Sequence, residues 1–442
     1  MKRQVYSQLL AWKNDKDRKP LILDGARQVG KTWILKEFGR NEYKNVAYIN
    51  CDDSPEMLSL FSDYDIKRLL RGFSSISGEE IHPGETLIIL DEIQSVPRGI
   101  TSLKYFCENA NEYHIVVAGS LLGVRLRTKK SQNNNDENTG TGFPVGKVDE
   151  INMYPMNFLE FVEATGNSIL VDQIREHRWE ELATFSSRLT DLLRQYYYVG
   201  GMPEVVKKYL EEENLKQVRK IQQRILSDYE KDFSTHVPDE LLPKVIMVWN
   251  SITSQLAKEN KKFVYGVVKK GARAKDFEDA IQWLVNAGLI HKVVRVNKVQ
   301  RPLKFYEDMS AFKLFLSDLG LLGAMADVTA KEVLTGENYF EEYKGAFTEQ
   351  FIAQELISLG EKLYYYSKEN STLELDFLVQ KDAVYPIEVK AEENLRSKSL
   401  KTIYDDNNEL KPVRFSMSGY REQEWMVNVP LYLAAEWINS IE

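Results

Sequence analysis

Two cysteines, five histidines and no long apolar run set the first limits on this 442-residue sequence. Cys51 and Cys107 have no neighbours at metal-ligand spacing, so neither a disulfide framework nor a zinc site is expected. No stretch reaches about 18 consecutive apolar residues, which excludes a membrane-spanning helix. The opening MKRQVYSQLLAWKND is basic but lacks the apolar run of about 7–15 residues found in secretory signals. Val5, Leu9 and Trp12 instead suit an amphipathic helix, and cytoplasmic residence is expected. A net charge of −8 argues against indiscriminate coating of nucleic acid, and 43% hydrophobic with 28% charged residues indicates a soluble globular protein. The length calls for about three domains. No internal repeat is visible. One polar low-complexity segment, TKKSQNNNDENTGTG at 128–142, reads as a mobile loop.

Against these absences stands GARQVGKT: Gly25, Ala26, Arg27, Gln28, Val29, Gly30, Lys31 and Thr32. It follows the apolar run Leu21–Leu23 and precedes WILKEF, so the order is strand, glycine-bounded loop, helix, the context of a phosphate-binding loop. Gly25 and Gly30 let backbone N–H groups converge on a phosphate, and the helix N-terminus adds a positive dipole. Lys31 supplies charge, and the Thr32 hydroxyl suits Mg²⁺. The residues point to binding of ATP or another nucleoside triphosphate.

A second strand, TLIILDEIQ at 86–94, ends in two carboxylates. Asp91 is placed to help hold Mg²⁺, and Glu92 to orient and deprotonate an attacking water. NVAYINC at 45–51 and HIVVAGS at 114–120 are further strands, an arrangement found in AAA+ and related ATPases. Ser120 then falls where a small polar residue senses a γ-phosphate, although a serine capping the next helix fits the same position. FPVGKVDEINMYP alternates as a fifth strand would.

Residues 156–235 are largely helical in pattern and read as a lid, broken at YYYVGGMPEVV, where Gly200, Gly201 and Pro203 predict a sharp turn. Beyond Pro238 the pattern changes. ITSQLAK, DFEDAIQWLVNAG and LIHKVVRV, followed by a basic hairpin, suggest a winged helix. From 257 to 304 there are twelve Lys or Arg against four Asp or Glu, about +8 against −16 for the remainder. Such asymmetry suits an anionic partner such as DNA, or simply a solvated basic face. The would-be recognition helix opens with Asp276, Glu278 and Asp279, which would repel phosphates. The positive charge lies instead on the preceding loop and on Lys292, Arg295, Lys298, Arg301 and Lys304, and a protein partner fits as well.

The last quarter carries a second constellation. Glu349 lies in a helical stretch, Asp376 in the strand ELDFLVQ, and Glu388 and Lys390 in YPIEVKA. Residues two apart in a strand share a face, so adjacent strands would gather carboxylates and an amine on one side of a sheet. Such a group can hold Mg²⁺ through Asp376 and Glu388 and place a water for phosphodiester attack, with Lys390 stabilising developing charge. E-x-K is also a common surface pair.

Taken together, GARQVGKTW, LDEIQ, AGSLLGV, FPVGKV, YPMNFLEF, GGMPEVV and GAFTEQFI…ELDF…YPIEVKA resemble, in order and over essentially the whole chain, a prokaryotic family of AAA+-like P-loop ATPases. Its members end in a domain of unknown function with a PD-(D/E)xK restriction-endonuclease-like fold. The resemblance implies an α/β multidomain protein: a P-loop core with a parallel sheet at 1–165, a helical lid at 166–237, a winged helix at 238–330 and a nuclease-like α/β domain at 331–442. It assigns phosphate binding to Gly25, Gly30, Lys31 and Thr32, the acidic pair to Asp91 and Glu92, the sensor to Ser120, and the nuclease-like set to Glu349, Asp376, Glu388 and Lys390. It leaves an arginine finger open among Arg125, Arg127 and Lys147. The expectation is an ATP- and Mg²⁺-dependent enzyme whose nucleotide state controls a DNA-acting domain. The alternative is a protein-binding switch with an inert nuclease-like domain.

Overall fold

The computed structural model describes residues 1–96, 98–119, 122–124, 143–257, 261–335, 341–368, 373–391 and 397–441. Ser120, Arg125, Arg127 and the 128–142 segment lie outside these described residues. The chain forms two compact units: Lys2–Tyr154 with Asn286–Gly288, and Pro155–Val285 with Leu289–Glu442.

The first unit is built on five parallel strands: β1 (Leu21–Asp24), β2 (Asn45–Asn50), β3 (Thr86–Asp91), β4 (His114–Ala118) and β5 (Asp149–Asn152), in the order β2-β3-β4-β1-β5. All six residues of β3 and all five of β4 are buried. That is why they read as continuous apolar runs, since a parallel strand is covered on both faces. Ile88, Leu90, Ile115 and Val117 pack with Phe73 and Phe106. The edge strand β5 alternates in burial, which explains its mixed sequence. Helix Val5–Asn14 buries Val5, Leu9 and Trp12, as their spacing predicts. β4 lies between β1 and β3 and pairs in parallel with both, so the segments after β1 and β3 leave the sheet at the same carboxyl edge, where open α/β sheets bind ligands.

The second unit joins a helical region to an eight-stranded mixed sheet. Helix Ser186–Val199 ends at Gly200, with φ 73°, and Pro203 opens helix Pro203–Glu212. A Cβ at Gly201 would lie 2.0 Å from the Met156 carbonyl oxygen, so the glycine pair is required by close backbone approach as well as by the turn. Asp318 anchors the crossing: its carboxylate accepts from Gly201 N at 2.6 Å and Leu321 N at 2.9 Å.

The sheet comprises β6 (Ile290–Val296), β7 (Glu307–Leu316), β8 (Tyr364–Ser367), β9 (Glu374–Gln380), β10 (Val384–Val389), β11 (Val413–Ser416), β12 (Arg421–Glu422) and β13 (Val427–Pro430). Their order is β12-β13-β11-β10-β9-β8-β6-β7. The hairpin β6–β7, expected as the wing of a separate domain, is continuous with the C-terminal strands, because β6 pairs in parallel with β8. The structure divides into two units, with 166–237, 238–330 and 331–442 in one of them apart from Asn286–Gly288. Helix Glu341–Ser358 precedes the antiparallel run β8–β9–β10, and helix Lys398–Asp406 leads into β11, parallel to β10. No helix among the described residues is long and apolar enough to cross a membrane.

Candidate nucleotide site and C-terminal carboxylate cluster

The loop after β1 needs its glycines. Gly25 adopts φ 148°, and a Cβ there would meet the Met153 carbonyl oxygen at 2.1 Å. Gly30, with φ 97°, is the N-cap of helix Lys31–Glu42. Between them Ala26 and Val29 are buried, Gln28 is half-buried with φ 67°, and Arg27 is exposed. The loop is thus held by two apolar side chains and leads into the head of a helix, where N–H groups favour an anion.

Lys31 is 8% exposed, and its ammonium donates to the Gly25 and Ala26 carbonyls at 2.6 and 2.8 Å. Burial lowers its pKa to about 8, against the opposing pull of Asp24, Glu92 and Asp91. Thr32 Oγ1 donates to Asp91 Oδ2 at 2.7 Å, and the Tyr48 hydroxyl donates to the same oxygen at 3.2 Å. Burial, and then the Asp91 charge, push the Tyr48 phenol well above its ordinary value, so it remains a donor. The Lys36 ammonium lies 3.4 Å from the centre of the Tyr48 ring. Glu92 turns out of β3 with φ 51°, and Gln94 Nε2 donates to its carboxylate. Tyr48 and Gln94 are additions to the sequence reading. Tyr48 lies opposite Ile89 in register and reaches Asp91 by its length alone, which no motif signals. Lys147, a candidate arginine-finger substitute, is paired with Glu108 at 3.0 Å.

In the second unit the structure brings Glu349 and Asp376 together but gives Glu349 cationic partners. Lys261 Nζ pairs with Glu349 Oε1, and Lys313 Nζ stands 3.6 Å from Glu349 Oε2 and 2.8 Å from Glu374 Oε1. Lys313 is 1% exposed and lies 5.0 Å from the centre of the Tyr365 ring. Burial opposes its charge, but Glu349, Glu374 and Asp376 more than compensate and raise its pKa. Burial also opposes the charge on Glu349, whose pKa is nonetheless lowered by Lys313 and Lys261 and by a hydrogen bond with Asp376. Asp376 moves the other way, upward, through burial and then the Glu349 charge, although it accepts from Val389 N at 2.7 Å. Glu388 Oε1 pairs with Lys390 at 2.8 Å, while its Oε2 is buried without a hydrogen-bond partner.

Asp376 and Glu388, the expected metal ligands, have different charged neighbours. Glu349 and Asp376 share a buried proton network with lysines, and Glu388 is turned to Lys390. Among the described residues no three His, Cys, Asp or Glu side chains are grouped so as to hold a metal ion. Lys313 did carry a sequence signal: a lone lysine inside the apolar run AFKLFL requires a buried counter-charge. Lys261 carried none.

Comparison with known proteins bears on each part of the chain at the level of domains. Residues 17–162 match the profile of a family described as AAA domain. Residues 190–332 match one described as a domain of unknown function (DUF8612), and residues 344–432 another described as a domain of unknown function (DUF4143). No functionally curated protein matches the chain. Similar solved structures include the Walker-type ATPase PABY2304 of Pyrococcus abyssi, at 14% identity over 74% of this chain and 95% of that one, with a TM-score of 0.45. The ORC1 protein of Aeropyrum pernix, solved in complex with DNA, is similar at 14% identity over 74% and 91% of the two chains, with a TM-score of 0.27. The match over residues 17–162 supports a P-loop ATPase domain of the AAA type in the N-terminal part of the chain, with ATP hydrolysis as the general kind of activity.

Proposed function

We propose that the chain is a cytoplasmic Mg²⁺-dependent ATPase whose nucleotide state governs DNA binding by its C-terminal half. The observation that carries the ATPase reading is the meeting of Thr32 and Asp91 beside Lys31 at the carboxyl edge of a parallel sheet. The N–H groups of the 25–30 loop cradle the phosphates, and Lys31 turns from the loop carbonyls to pair with the β- and γ-phosphates. A hydroxyl and a carboxylate oxygen 2.7 Å apart are hard donors that suit Mg²⁺. Thr32 and Asp91 would hold Mg²⁺, which would supply positive charge to offset that of the phosphates. Glu92, steadied by the Gln94 amide, orients the attacking water and takes its proton. Ser120 is assigned to sensing the γ-phosphate.

The division of labour follows the segments read from sequence: 1–165 for ATP, 166–237 as lid, 238–330 as the winged-helix-derived nucleic-acid face, and 331–442 as a nuclease-like fold. Helix, three antiparallel strands, helix and a parallel fourth strand support the last of these. The hairpin supports the third: Lys298, Arg301 and Lys304 are exposed beside Phe305, which is 83% exposed. Lys269, Lys270, Arg273 and Lys275 are exposed on the preceding segment. Three of the expected basic side chains are engaged within the fold, however: Arg301 donates to the Asp382 carbonyl, and two more are held in the hairpin. Arg295 Nε donates to Asp308 at 3.0 Å, and Lys292 lies 4.3 Å from the centre of the Phe312 ring.

One observation favours the second reading, an inert nuclease-like domain in a protein-binding switch: the lysines on Glu349. The test is anisotropy of labelled duplex and single strands with ATP or ADP, run beside a metal-dependent cleavage assay. Nucleotide-dependent binding supports DNA as the partner. Absence of binding at low salt in both nucleotide states leaves the protein-binding switch.

A further inference from the structure

We propose that Lys261 and Lys313 act as built-in counter-ions of the C-terminal carboxylate cluster, supplying the positive charge that a divalent cation would bring, so that the cluster is a cation-independent lock. Two ammonium groups carry the charge of one divalent ion. They meet Glu349 from both of its oxygens, and Lys313 also meets Glu374. Both lysines come from outside 331–442: Lys261 precedes the short helix Tyr265–Val268, and Lys313 lies in β7.

The lock is local and strongly held. Lys313 is 1% exposed and the side chain of Lys261 11%, so neither pair is a screened surface contact. Lys261 has φ 48°, a left-handed backbone that a non-glycine residue adopts rarely, and here it accompanies the turn of its side chain onto Glu349. A cation entering among Glu349, Glu374 and Asp376 would meet two ammonium groups at close range. The repulsion falls on the binding event itself. With Lys261 uncharged, Glu349 Oε1 loses its partner, and carboxylate oxygen becomes available for a hard cation.

The inference takes from the nuclease-like reading only what the cluster would otherwise do, and its test separates the two. Full-length wild type, Lys261→Met, Lys261→Gln, Asp376→Asn and the Lys261→Met/Asp376→Asn double variant are titrated with Mn²⁺ without nucleotide, and bound ion is counted by electron paramagnetic resonance. Wild type and Asp376→Asn should bind the same number of ions. Lys261→Met should bind one more, at least tenfold tighter than any binding of wild type at the cluster, and lose it in the double variant. Lys261→Gln serves the same comparison should the methionine variant fail to fold. Wild-type Mn²⁺ binding that Asp376→Asn removes overturns the inference, as does a folded uncharged variant that gains no ion. A gained ion without cleavage of DNA leaves the inference standing and sinks the nuclease reading instead.

Discussion

Thr32 Oγ1 lies 2.7 Å from Asp91 Oδ2, joining the head of helix Lys31–Glu42 to the end of β3 across 59 residues of chain. If both oxygens serve one Mg²⁺, removing either should disable the same step. Thr32→Val and Asp91→Asn should each reduce ATP turnover by about 100-fold or more, and the double variant should be little worse than the poorer single one. Steady-state hydrolysis across the cycle reads this out. Additive losses would mean that the two act separately.

The basic hairpin yields a prediction with an internal control. Lys298→Glu and Lys304→Glu, at exposed positions, should weaken duplex binding and lower the salt slope by about 0.9 for each phosphate no longer neutralised. Arg295→Glu should lower stability as well, because it sets two carboxylates together where the Asp308 pair stood. Anisotropy over a salt series, alongside thermal melts, separates the cases. Unchanged affinity in both lysine variants would assign the basic surface to another partner.

Lys313 is buried between Glu349 and Glu374, so Lys313→Met leaves two carboxylates short of a cation inside the fold. Breaking one side of a buried pair costs about 3–5 kcal/mol. Urea unfolding should report a loss of that order at neutral pH. A loss below about 1 kcal/mol would show that the carboxylates find other partners or take up protons without strain.

Glu355 gives the pH dependence. It is 1% exposed, accepts from Phe158 N at 2.9 Å, and is faced by Glu160 and Tyr196. Burial is the main cause that raises its pKa to about 8, with Glu160 adding to it and the Phe158 and Tyr196 hydrogen bonds opposing it. The folded chain thus holds a proton that the unfolded chain releases near the ordinary glutamate value. Its contribution is fully present below that value and is lost as pH rises through about 8, with a slope of up to about 1.4 kcal/mol per pH unit between. Glu355→Gln keeps an acceptor for Phe158 N and removes this slope, so the variant should gain on wild type steadily from pH 5 to about 8 in chemical denaturation. Parallel curves for the two proteins would place the titration elsewhere.

The sequence was most informative where geometry is local. Gly25 and Gly30 are needed by the backbone at their own positions, and the apolar runs of β1, β3 and β4 follow from burial on both faces of a parallel sheet. The order of helix and strands around Asp376 and Glu388 was legible for the same reason. What escaped depends on pairing between distant segments. The junction of β6 with β8 joins residues about 70 apart, and nothing in LIHKVVRV distinguishes a free wing from a strand with a second neighbour. Lys261 meets Glu349 across 88 residues, and a lysine in a basic stretch gives no sign that it turns inward. AFKLFL did give such a sign for Lys313, because an apolar strand tolerates a cation only with a buried partner.

The central claim is that Lys31 and Glu92 divide ATP binding from ATP chemistry at one site. The most direct measurement is single-turnover release of phosphate from Mg²⁺-ATP, with equilibrium ATP binding measured on the same preparations of wild type, Lys31→Ala and Glu92→Gln. The account predicts release by wild type, loss of tight binding in Lys31→Ala, and binding within about threefold of wild type with at least about 100-fold slower release in Glu92→Gln. Undiminished release by Glu92→Gln, or undiminished ATP affinity in Lys31→Ala, would contradict it.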